Sequence, residues 1–280
     1  MKPDDIIHVM AINAHQDDFE FNAGGLFAKL RNRLGASVRM RILATTRGAS
    51  GHHELSLEET FRRREAEARR SAELLDAEYA CLQGLDGQHL PGQVWIDRNT
   101  LGGLWNAIRD FEPDYIFCPP VITDPLAGIH IDHQHTAMAV RAVAYQVGVP
   151  HAYPTVGTSV KRRVRVPLII NVDDPYAFSE KRPFHVAVDI SAVYERKEEM
   201  ALCHASQIFE WLPFTDGRDS AVSEEEWRKL FRQRHINVNQ RYGRETETPR
   251  EFFRFTTWGR RVEQNDLDHL FPGEEICLPS

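Results

Sequence analysis

In the first half of the chain, apolar runs of strand length alternate with segments of helical periodicity, and this alternation limits the possible folds more than any other feature. Ile6 to Ala14 reads as a buried strand, because Ile7, Val9, Ala11 and Ile12 are apolar or small. Gly25 to Leu34 reads as a helix: Leu26, Leu30 and Leu34 fall four apart, and Gly35 stands where a C-terminal cap belongs. Val38 to Thr45 alternates as a second strand, with Val38, Met40, Ile42 and Ala44 on one face. Ser56 to Leu75 is a charged helix opened by Ser56 and Glu59, the spacing of a capping box. Tyr79 to Leu82, Thr100 to Phe111, Tyr115 to Cys118 and Asp132 to Val147 continue the series as strand, helix, strand and helix. Strands separated by helices of about ten residues or more imply crossover connections and parallel pairing. The expected fold is α/β, a Rossmann-like, mostly parallel sheet flanked by helices, with a C-terminal elaboration.

Beyond about residue 155 the pattern changes. Val164 to Val172 and His185 to Ile190 read as two further strands joined by a polar loop rich in Asp, Pro and Lys. Ser191 to Ser206 reads as a helix capped by Ser191, and Glu224 to Tyr242 as another. With no repeat and no composition break, the chain is expected to be one domain over residues 1–280. Its core runs to about residue 210, and an extension covers about 211–280, whose weakly periodic tail would wrap the surface or make a homo-oligomer contact. At 280 residues the chain can bury a substantial core. Its net charge of −7 argues against a nucleic-acid partner. Cys81, Cys118, Cys203 and Cys277 form no CxxC pair, so neither a zinc knuckle nor a disulfide framework is expected. The apolar run after Met1 is broken by Asp4, Asp5, His8 and Asn13, and no stretch approaches the roughly 18 apolar residues of a membrane span. A cytoplasmic protein without a membrane partner is the expectation.

Two polar clusters interrupt this framework where strand-like runs end. The first is His15-Gln16-Asp17-Asp18, after the first strand; the second is His130-Ile131-Asp132-His133, after the fourth. In parallel sheets ligands gather beyond the carboxyl ends of the strands, so both clusters belong to one edge. Imidazole and carboxylate are zinc ligands, and a catalytic site needs three of them plus an open position. Each cluster also has a plainer explanation, an acidic turn in the first case and Asp132 as a helix cap in the second. Their joint placement favours one shared metal site.

His15-x-Asp17-Asp18 followed by Glu20 and Gly24-Gly25, then Thr46-Arg47-Gly48, resembles the PIG-L/LmbE-like family of zinc-dependent N-deacetylases. Arg64-x-x-Glu67, His130-x-Asp132-His133, Arg196-Lys197 and His204-x-Ser206-Gln207 are similar to later motifs of that family and come in its order, over roughly residues 6–210. The resemblance implies His15, Asp18 and His133 as ligands of one zinc per chain; imidazole and carboxylate suit several divalent ions, so ferrous iron is the alternative metal. It implies Asp17 as general base toward water, His130 as oxyanion stabiliser oriented by Asp132, and Arg47 and Arg64 near the sugar. The implied substrate is an N-acetylated amino sugar or glycoconjugate. Gln16 and Ile131 stand where the family usually has Pro, and Asn22 where Gly is frequent; none of the three removes a proposed ligand. Rival readings are a metal-dependent phosphoesterase, a non-catalytic zinc-containing binding module, and a dinucleotide-binding protein using Gly24-Gly25. The last lacks GxGxxG spacing and would set two carboxylates against a pyrophosphate.

Overall fold

The computed structural model describes residues 6–156, 164–174, 176, 183–218 and 222–278. Its strands are β1 (Ile7–Asn13), β2 (Val38–Ala44), β3 (Glu78–Cys81), β4 (Tyr115–Cys118), β5 (Leu168–Val172), β6 (Val186–Asp189), β7 (Arg250–Phe255) and β8 (Glu275–Ile276). The helices are α1 (Asp18–Asn22), α2 (Gly24–Leu34), α3 (Leu57–Glu73), α4 (Arg98–Phe111), α5 (Ile131–Ala144), α6 (Tyr194–Leu202), α7 (Leu212–Thr215), α8 (Glu224–Arg241) and α9 (Gln264–Leu270). One sheet runs in the order β3-β2-β1-β4-β5-β7-β6-β8. β3 through β5 are parallel, with Ile7 opposite Val38 and Val9 opposite Tyr115. The mixed, mostly parallel α/β fold expected from the sequence is the fold observed.

The parallel half is buried on both faces, as βαβ crossovers require. Ile7, Val9 and Ala11 of β1 join Val38, Met40, Ile42 and Ala44 of β2 in one core with Leu26, Phe27 and Leu30 of α2 and Ala68 and Ala72 of α3. Met10 and Ile12 point the other way, into a second core with Leu104, Trp105 and Ile108 of α4 and Val140 and Val143 of α5. The ends of α3 and α4 follow from local chemistry. Ser56 and Glu59 form the expected capping box on α3. Glu112, in the left-handed region at φ 52°, closes α4.

Two expectations change beyond residue 155, and a third falls mostly outside the described residues. The helix expected over Ser191 to Ser206 is broken: a 3₁₀ turn (Ser191–Val193) precedes α6, and a π-helical stretch (Ser206–Trp211) follows Leu202. The break brings His204 to rest fully buried, 3.1 Å from Glu20, and lets Ser206 donate to Glu67. Most of the polar loop expected between β5 and β6, residue 175 and residues 177–182, lies outside the described residues. The C-terminal extension enters the sheet. β7 pairs antiparallel with both β5 and β6, so a strand from the C-terminal extension lies inside the sheet. No helix among the described residues is long and apolar enough to cross a membrane.

Candidate active site

The strand order reverses between β1 and β4: the chain winds outward from β1 to β2 and β3, then crosses back to β4 and β5. A crevice at such a switch point, beyond the carboxyl ends, is where open α/β sheets bind ligands. The loop after β1 delivers His15, Asp17 and Asp18 there, and the start of α5 delivers His130, Asp132 and His133. A cleft of about 830 Å³ is lined by all six, together with Phe21, Arg64, Tyr176 and Arg234.

The first loop is fixed by hydrogen bonds on both sides. Thr46 Oγ1 donates to the Ala14 carbonyl at 3.0 Å, and buried Gln16 donates from Nε2 to the Arg47 carbonyl at 2.6 Å. Gln16 thus ties the loop after β1 to the loop after β2, and hydrogen bonds hold a segment that a ring would otherwise restrict. Arg64 donates to Asp17 Oδ1 at 2.6 Å and to the Gly48 carbonyl at 2.9 Å. Gly48 has φ 57°, and a Cβ there would lie 2.4 Å from Gln16 Oε1 and 2.5 Å from Arg64 Nη1. Only glycine fits the third place of Thr46-Arg47-Gly48.

His15, Asp18 and His133 each turn one donor atom inward, all within 4.8 Å of one another. His133 Nε2 is 3.4 Å from Asp18 Oδ1, and His15 Nδ1 is 3.7 Å from Asp18 Oδ2. On its far side, His133 Nδ1 lies 2.7 Å from Oδ2 of Asp174, which is 1% exposed. Burial opposes a charge on His133, but Asp18 and Asp174 together raise its pKa to about 11. Asp18 is held well below the usual carboxylate range: burial works against this, and His133 and His15 outweigh it. The trio is a candidate set for holding a cation, and its two imidazoles and one carboxylate are donors of the kind that zinc accepts. A second set, His15, His130 and Asp132, also comes within 4.8 Å. The two sets share His15 and no carboxylate, so the described residues do not form a carboxylate-bridged two-metal centre of the phosphoesterase kind.

His130 and Asp132 sit as expected at the start of α5, with one difference. The Asp132 carboxylate is nearer to His15 Nε2, at 3.2 Å, than to His130 Nδ1, at 4.0 Å. What orients His130 is the backbone, since the Asp132 N–H donates to His130 Nδ1 at 3.3 Å. The Asp132 carboxylate is anchored in turn by the Val94 N–H at 2.6 Å. Arg47, expected near the sugar, does not line the cleft. Its guanidinium stacks 3.6 Å from the Phe61 ring centroid and pairs with Glu58 at 2.8 Å, two partners that draw it to the surface of α3. Arg64 does line the cleft, engaged with Asp17.

Asp174, Tyr176 and Arg234 are the site residues that sequence reasoning missed. Asp174 had a usable signal, because Asp173-Asp174 follows β5 just as Asp17-Asp18 follows β1. The glycine pair at the start of α2 has a role other than phosphate binding. Glu251 of β7 accepts from the Gly25 and Leu26 N–H groups at 2.8 Å each, filling the place where a dinucleotide phosphate would sit. A Cβ on Gly25 would lie 2.9 Å from that carboxylate.

Residues 10–144 match the family model described as PIG-L, GlcNAc-PI de-N-acetylase. The match covers 135 of the 280 residues (144 − 10 + 1), a little under half of the chain. The match takes in both polar clusters, so the site lies within the stretch that is similar to a de-N-acetylase. Solved structures share the fold. N,N'-diacetylchitobiose deacetylase from Pyrococcus horikoshii is 19% identical with a TM-score of 0.65, over 90% of this chain and 84% of that one. GalB, the 4-carboxy-2-hydroxymuconate hydratase from Pseudomonas putida, is also 19% identical, with a TM-score of 0.63 over 93% and 99%. A zinc-inhibited form of the teicoplanin deacetylase Orf2 is 13% identical, with a TM-score of 0.54 over 89% and 99%. At these identities the likeness concerns the fold. Comparison with curated protein sequences gives no significant match.

Proposed function

We propose that this protein is a zinc-dependent amide hydrolase that removes an N-acetyl, or other N-acyl, group from an amino sugar or glycoconjugate. The observation that carries the reading is the convergence of His15, Asp18 and His133 within 4.8 Å, beside an Asp17 already oriented by Arg64. His15, Asp18 and His133 would hold the cation, leaving a position open to water and substrate. When bound, such a cation supplies Lewis acidity toward a carbonyl oxygen and makes water acidic enough to ionise near neutral pH.

The remaining steps belong to the chain. Arg64 occupies Asp17 Oδ1, which leaves Oδ2 to accept a proton from the attacking water as general base. His130 Nδ1 accepts from the Asp132 N–H, so the neutral ring carries its proton on Nε2. Burial, followed by the nearby His15 and His133, lowers the His130 pKa and favours that neutral form. Its Nε2–H is the donor for the oxygen that gains charge as the tetrahedral centre forms. Protonated Asp17 then delivers its proton to the departing nitrogen, so the C–N bond breaks to give a free amine and a carboxylate. A hydratase shares this fold, so the amide reading rests on the chemistry of the site rather than on the fold.

Amine release from a panel of N-acetylated amino sugars tests the reading. Asp17→Asn should keep its metal and lose about 10²-fold or more of turnover. Full activity in that variant would exclude Asp17 as the base.

A further inference from the structure

The cleft is lined by two guanidinium groups, and they are placed very differently. Arg64 is neutralised by Asp17 at 2.6 Å. Arg234 comes from α8, in the C-terminal quarter of the chain, and has no carboxylate within 4.0 Å among the described residues. The buried stripe of α8 is Trp227, Phe231, His235 and Val238; Arg234, three residues past Phe231, stands at the edge of that stripe and faces the cleft. Its Nη2 donates to Asn22 Oδ1 at 3.1 Å, and its Nη1 lies 3.5 Å from the Phe21 carbonyl. The guanidinium carbon sits 5.4 Å from the centre of the Phe21 ring.

The carboxylates whose fields reach Arg234 are Asp173, Asp174 and Glu251, and each is engaged elsewhere. Asp173 accepts from Arg241 and Tyr242. Asp174 faces His133, and Glu251 holds Lys197 and the amides of α2. A guanidinium has five N–H donors, and two are used here. A partly buried cation without a counter-ion costs stability, and a tie between α8 and α1 would need only a neutral amide. The surplus positive charge and unused donors therefore point to a ligand, and the fork of a guanidinium suits carboxylate or phosphate.

We propose that Arg234 selects substrates bearing an anionic group, a carboxylate or a phosphate, in addition to the amide that is cleaved. The inference deepens the N-deacylase reading and rests on it for the nature of the amide. Because Arg234 is tied to Asn22, on the same short helix as Asp18, the anion would be held at a fixed offset from the metal ligands.

The test measures binding, so it does not depend on turnover. Dissociation constants for N-acetylglucosamine, N-acetylglucosamine 6-phosphate and N-acetylmuramic acid are measured by calorimetry on the metal-loaded Asp17→Asn/Arg64→Gln protein, in which Arg64 is not left as a second unpaired cation. Arg234 is left intact or changed to Gln or Lys. With Arg234 intact, at least one anionic probe should bind about tenfold more tightly than the neutral sugar, a difference of ~1.4 kcal/mol. Arg234→Gln should bring that ratio to within about twofold of one, and Arg234→Lys, which keeps the charge without the fork, should retain part of it. Whichever anionic probe shows the preference identifies the anion as phosphate or carboxylate. A ratio near one with Arg234 intact overturns the proposal even if neither variant folds. So does a preference that survives in Arg234→Gln, since the metal would then be binding the anion. Loss of the preference in Arg234→Gln without turnover of any N-acyl probe by the wild type would sink the deacylase reading and leave the anion site standing.

Discussion

Asp174 shows how one carboxylate can govern a site it does not enter. At 2.7 Å from His133 Nδ1 it fixes which ring nitrogen would face a cation in the proposed site and raises the basicity of that nitrogen. Replacing it with alanine should weaken zinc affinity about 10–100-fold while leaving the fold in place, as read by competition with a chromophoric chelator. A change below about twofold would show that His133 is oriented by packing alone. Six residues that line the cleft were legible in the sequence because His15, Asp17 and Asp18 follow the apolar run of β1, and His130, Asp132 and His133 open the helix after β4. Asp174 and Arg234 were missed, the first despite the likeness of Asp173-Asp174 to Asp17-Asp18. The first follows a strand whose neighbour β7 lies some 80 residues further along the chain, as the pairing of Asn171 with Arg254 shows. The second is one arginine among many on a charged helix, and only packing distinguishes it.

At the level of elements, the start of α2 depends on a buried ion pair. Lys197 of α6, fully buried, lies 2.7 Å from Glu251, whose two oxygens also cap α2. Three elements distant in sequence meet at that carboxylate. Glu251→Ala would leave the Lys197 ammonium buried and two amides unpaired, and should destabilise the protein by about 3–5 kcal/mol, measured from the urea midpoint. Helix α8 carries a pH dependence of its own. His235 is 1% exposed among Tyr194 and Phe231, and burial, with help from Lys197 and Arg234, lowers its pKa from 6.5 to about 2. Above pH 6.5 the ring is neutral folded and unfolded alike. Below that value the unfolded chain takes up a proton that the folded chain refuses, so stability falls by ~1.4 kcal/mol per pH unit until the folded pKa is reached. His235→Phe should remove that slope between about pH 6 and pH 5, and an unchanged slope would assign it to other groups.

Across the whole molecule, the parallel half of the sheet was readable because β1, β4 and β5 are buried on both faces and each crossover helix carries its own period. The C-terminal half was less so. α6 is flanked by a 3₁₀ turn and a π-helical stretch that break its period, and β7, in the sequence Arg-Glu-Phe-Phe-Arg-Phe, mixes charge with aromatics because Glu251 caps a helix from within the sheet. Strand order also decides function here, since it sets β1 beside β4 and brings His15 and Asp18 to His133 across 115 residues of chain, counted from Asp18 (133 − 18).

That convergence is the central claim, and metal content tests it most directly. Elemental analysis of the wild type beside His133→Ala should find about one zinc per chain in the first and none in the second, with the variant still folded. Zinc retained at full stoichiometry in His133→Ala, or a wild type that takes up no divalent metal after reconstitution, would contradict the account.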